Sequence, residues 1–61
     1  MDKLEQQRIN TYIAKMFLES IGWKVQEDVT CFRVTTDTGE TGELAWFELV
    51  RFAKEKGAVI Q

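Results

Sequence analysis

The chain has 61 residues, with 8 Lys and Arg against 10 Asp and Glu, for a net charge of −2. That length holds one domain, 1–61, and a domain so small buries a modest share of its surface. The mild acidity sets it apart from the basic domains that neutralise nucleic-acid phosphates, and without an 18-residue apolar run no membrane-spanning helix is expected.

The first predicted element is a helix from Lys3 to Ser20. Ile9, Tyr12, Ile13, Met16, Phe17 and Ser20 recur at i, i+3, i+4, i+7, i+8 and i+11, which marks one face of a 3.6-residue period. That face is expected to meet the core, with Gln6, Gln7, Asn10, Lys15 and Glu19 covering the other side. Leu18 falls off the apolar face and is a local misfit. Asp2 suits the N-cap, and Gly22 suits the left-handed position that stops a helix.

From Trp23 to Thr36 the residues become β-branched, aromatic or small. A short strand at Trp23–Gln26 and a longer antiparallel one at Val29–Thr36 are predicted, with the turn at Glu27-Asp28. Thr30, Phe32 and Val34 share the face expected to be buried, while Val29, Cys31, Arg33 and Thr35 share the other. Trp23 reads as a core anchor. Asp37-Thr38-Gly39 is a turn signal, in which Asp bonds its own backbone and Gly takes the left-handed position. Glu40 and Thr41 begin a brief third strand, after which Thr41 could cap the next helix.

The second helix is predicted from Glu43 to Lys56 and is stopped by Gly57. Ala58-Val59-Ile60 forms an apolar tail or short edge strand. The predicted fold is therefore α+β, a small single-layer antiparallel sheet of two or three strands packed by two helices in the order α-β-β-(β)-α. In the second helix Ala45, Trp46, Leu49, Val50, Phe52 and Ala53 make a broad apolar arc, and Phe47 lies well around from it. Glu48, Arg51 and Glu55 are spaced for ion pairs on one narrow stripe. So much apolar circumference exceeds what one sheet contact covers. Either the rest of the domain wraps the helix, or Phe47, Val50, Arg51 and Lys54 form an exposed stripe for another protein. Aromatic and Arg side chains are enriched at such contacts.

Conventional chemistry finds little support. With no histidine, Ser20 and Cys31 lack the usual base. Cys31, alone, has no disulfide partner within the chain and reads as a small apolar strand residue. Asp37, Glu40 and Glu43 fit no cation loop and read as a solvated turn beside a helix N-terminus. Gly39-x-x-Gly42 has the wrong spacing for a phosphate cradle and glutamates around it. A lone cysteine and a polar N-terminus suit a cytoplasmic, stand-alone protein. The expectation is a non-enzymatic protein-interaction or regulatory module that binds another protein and forms a homodimer, with no cofactor, no metal and no membrane partner. The alternative is a nucleic-acid-associated accessory protein using Lys24, Arg33 and the lysines near Gly57.

Overall fold

The structure is a computed structural model that describes residues 3–60. Helix α1 (Lys3–Ser20) is followed by strands β1 (Lys24–Glu27), β2 (Phe32–Thr35) and β3 (Thr41–Leu44), and then by helix α2 (Trp46–Glu55). The strands form one antiparallel sheet in the order β1-β2-β3. This is the predicted α+β architecture with the third strand present. The tail adds no strand, but Ala58 and Ile60 pack against the core. The proposed cap at Asp2 lies outside the described residues.

Both helices end in the same way. Beyond α1 the Gly22 N–H bonds the Glu19 carbonyl at 3.2 Å, and the Trp23 N–H bonds the Leu18 carbonyl at 3.0 Å. Beyond α2 the Gly57 N–H bonds the Lys54 carbonyl at 3.1 Å, and the Ala58 N–H bonds the Ala53 carbonyl at 2.9 Å. Gly22 and Gly57 have φ of 101° and 114°, the left-handed region that costs any other residue about 1–2 kcal/mol. These are Schellman turns, which satisfy the last carbonyls and bring the residue after the glycine back onto the final turn. In α1 that pairs Trp23 with Leu18, and both are buried.

The core is small. Ala14 and Leu18 of α1, Trp23, Val25, Val34, and Leu49, Val50 and Ala53 of α2 are buried. Val25 sits opposite Val34 in the sheet, and Phe32 opposite Leu44, so these four share the face that meets the helices. Gly42 lies opposite Val34. The other face carries Lys24, Gln26, Arg33, Thr35, Thr41 and Glu43. The helices pack mainly on each other, and Ala14 and Ala53, both fully buried, let their backbones approach closely.

Several expectations need correction. The buried positions of α1 are Ala14 and Leu18, with Gln7 and Thr11 half-buried on the same side. Of the predicted apolar face, Ile9, Tyr12, Ile13 and Met16 are turned outward while Phe17 packs against the core, and Leu18, the apparent misfit, is fully buried. Strand β2 begins at Phe32, because the Asp28 N–H bonds the Cys31 carbonyl at 2.8 Å and closes a turn over Asp28–Cys31. Thr30 therefore sits exposed in a turn rather than on the buried face. Helix α2 begins at Trp46 with Ala45 as N-cap, since Thr41–Leu44 pair with β2 instead. Glu48 accepts the Ala45 N–H at 3.1 Å, which directs its carboxylate to the helix start. Thr36, rather than Asp37, ties the β2–β3 turn, its hydroxyl accepting the Glu40 N–H at 3.1 Å.

The rotation of α1 makes a prediction. Leu18→Ala should destabilise the fold by about 2–5 kcal/mol, the usual range for a buried leucine. Ile13→Ala, at a position 37% exposed, should cost clearly less than Leu18→Ala in dilute solution. Urea unfolding of both variants at low concentration reads the difference. The reverse ranking would return the first predicted face to the core.

Candidate protein-interaction surface

The exposed stripe on α1 follows from its covalent geometry. At about 100° per residue, Ile9, Ile13 and Met16 lie within about 40° of the direction opposite Leu18. Leu18 is fixed inward by the turn at Gly22, so the other three must point away from the core. Their side chains are 44%, 37% and 49% exposed, and Tyr12 beside them is 62% exposed. Gln6 donates from its side-chain amide to Asn10 Oδ1 at 3.0 Å, and the Thr11 hydroxyl donates to the Gln7 carbonyl at 2.7 Å. These polar side chains bond along the helix itself, and much of its outward apolar stripe is left to water.

The surface as a whole tells the same story. Among the described residues eleven large apolar side chains are exposed, against eight buried apolar ones of which two are alanines. Scattered exposed apolar residues are ordinary, but aligned ones mark contact sites. The Ile9–Met16 stripe is the aligned set on α1.

The four residues singled out on α2 are only partly brought together. Phe47 is 57% exposed, and Arg51 and Lys54 are exposed beside it. Val50 is 8% exposed and belongs to the core, which corrects its assignment to the stripe: it turns toward α1 and the sheet, not outward. Trp46 packs edge-on against Phe47, with ring centroids 5.9 Å apart. Phe52, on the far flank of α2, lies 6.4 Å from Trp23, and the Lys56 ammonium sits 5.3 Å over the Trp23 ring. The α2 surface thus presents the adjacent exposed rings of Trp46 and Phe47 with Arg51 and Lys54 beside Phe47, and Phe52 on another flank.

A cleft of about 560 Å³ lies between α1 and the β1–β2 turn, lined by Arg8, Tyr12 and Lys15 of α1, by Asp28 and Cys31 of the turn, and by Trp46. Its walls carry both signs of charge. The Cys31 thiol donates to Glu43 Oε2 at 3.3 Å. That bond, then desolvation and the Glu43 and Asp28 charges, hold the thiol above its ordinary range, with Arg33 opposing them. A thiol so held is a poor nucleophile near neutrality. Among the described residues no three His, Cys, Asp or Glu side chains group as a metal site. Arg33 faces Glu43 across β2 and β3, so the outer face of the sheet also presents both signs.

The alkylation rate of Cys31 as a function of pH checks this environment. Glu43→Ala should move the midpoint to lower pH, because it removes the acceptor and the charge that disfavour the thiolate. Arg33→Ala should move it to higher pH. A profile unmoved by Glu43→Ala would show that the two side chains do not meet.

Comparison of the chain with protein-family models, with curated proteins and with solved structures finds no significant match.

Proposed function

We propose that the chain is a non-enzymatic protein-interaction module that docks another protein on the outward face of α1. The observation that carries this reading is the stripe Ile9, Tyr12, Ile13 and Met16, aligned on one helix and turned opposite the buried Leu18. Covering the part of each side chain still in water recovers a fraction of the roughly 1.5–3 kcal/mol that full burial of such a residue contributes. A fold with so few buried side chains has little stability in reserve. A contact that covers the stripe recovers part of that energy, and helix-in-groove and helix-on-helix docking both use this spacing. Sequence periodicity had marked these same residues as a face meant for burial; the burial it implies lies between molecules. The alternative reading, binding to nucleic acid, has less support, since Glu43 stands directly beside Arg33 and the net charge is −2.

The test places a photoreactive phenylalanine analogue at position 13 of α1 or at position 26 on the outer sheet face, in cells that make the protein. Position 13 should give discrete cross-linked protein species, and position 26 should give few. Equal labelling from both positions, or labelling from 26 alone, would contradict the proposed docking face.

A further inference from the structure

We infer that the Trp46–Phe47 corner of α2 is a second docking surface, and that it takes an acidic peptide segment, one with carboxylates around an apolar side chain. It lies on another helix from the Ile9–Met16 stripe, and the inference does not rest on the docking reading above.

The rings supply the apolar part of the contact. Trp46 is 39% and Phe47 57% exposed, and they pack edge to face with centroids 5.9 Å apart. Each ring steadies the other, so covering the pair orders few side chains that were free before. The core makes no use of Phe47, which lies about 160° around the helix from Leu49, a residue fully buried. Aromatic and Arg side chains are the ones enriched where proteins meet.

Charge names the partner. Arg51 and Lys54, one and two turns beyond Phe47 on its side of the helix, are exposed. Trp46 lines the cleft that Arg8 and Lys15 also line. Four cations therefore stand around two exposed rings, and among the described residues none of the four has a carboxylate within ion-pair distance. The nearby acids are placed elsewhere. Glu48 turns its carboxylate to the Ala45 N–H at 3.1 Å, and Asp28, across the cleft, accepts the Val29 N–H at 2.8 Å. Glu55 borders Arg51 only at the far end of the helix. This cationic setting occurs in a chain whose net charge is −2, so attraction of an acidic segment is local to it and not a property of the whole surface.

The same surroundings favour a peptide over a nucleic acid. Single strands stack successive bases on aromatic platforms, but these two rings stand at 88° to each other and offer no such row. A phosphate chain leaving the patch would also run onto Asp28, Glu48 or Glu55. A short acidic segment ends before it reaches them, and its carboxylates can take two parallel bonds from the Arg51 guanidinium.

Fluorescence anisotropy with a short labelled peptide, glutamates around a central leucine, tests the inference. The comparisons are the same peptide with glutamine for each glutamate, and a labelled single-stranded oligonucleotide of equal charge. The variants are Phe47→Ala, Met16→Gln and the double reversal Arg51→Glu with Lys54→Glu. Circular dichroism confirms that each is folded, as substitutions at exposed positions should leave them. Wild type should bind the glutamate peptide at micromolar concentrations, at least about tenfold more tightly than the glutamine peptide, and added salt should weaken it. The double reversal should cost at least about tenfold, Phe47→Ala should also weaken binding, and Met16→Gln should leave it unchanged. The glutamine peptide keeps the charge test independent of any variant's fold. Absence of saturable binding overturns the inference, and so does equal affinity for the two peptides or an affinity untouched by the double reversal. Tighter binding of the oligonucleotide overturns the peptide assignment and gives the patch to nucleic acid. Loss of binding on Met16→Gln, with the double reversal still binding, overturns it by moving the contact to α1.

Discussion

The turn at Gly22 governs the rest of this molecule. Once the chain leaves α1 through a left-handed glycine, the Trp23 N–H returns to the Leu18 carbonyl, and the two side chains are drawn into the same buried cluster. Trp23 is the largest buried side chain, so the helix has one rotation that keeps Leu18 against it. Everything else on α1 follows from that rotation at about 100° per residue. Ala14 joins Leu18 on the inside. Ile9, Ile13 and Met16 are carried to the outside whatever their hydrophobicity.

That constraint is affordable only because the body is thin. Its principal extents are 37 × 26 × 14 Å, little more than one layer of helices on one sheet. A slab of this thickness offers each helix a single buried side. Helix α2 satisfies its side with Leu49, Val50 and Ala53, and α1 satisfies its own with Ala14 and Leu18. The small residues at the helix–helix contact bring the backbones together but bury little area. The apolar stripe on α1 is thus surplus to the monomer, and the surplus is the physical basis of the function proposed for it.

Much of the fold was legible in the residues. The span of α1, the stops at Gly22 and Gly57, the turn near Gly39 and the α-β-β-β-α order all follow from periodicity and glycine placement. The boundaries between Glu27 and Trp46 did not. Val29 and Thr30 favour strands, yet Asp28 holds them in a turn, its carboxylate accepting the Val29 N–H at 2.8 Å. Glu43 and Leu44 read as helix, yet they complete the ladder opposite Arg33 and Phe32. Local propensity lost to a side-chain-held turn in the first place and to strand pairing in the second. On α1 the periodicity found a real apolar stripe but could not say what it faces. The usable signal was Leu18-x-x-x-Gly22-Trp23, in which the Schellman spacing itself marks Leu18 as the inward residue. For α2 the wheel placed Val50 beside Phe47, and only packing against α1 and the sheet separates them.

The central claim is that α1 turns Leu18 inward and Ile9, Ile13 and Met16 outward. Methyl NMR with a soluble paramagnetic probe, at a concentration low enough to hold the chain monomeric, tests it most directly. The account predicts clear relaxation of the Ile9, Ile13 and Met16 methyl signals, between that of the exposed Val29 and the protected Leu18 methyls. Protection of Ile9 and Ile13 to the level of Leu18 in the monomer would contradict it.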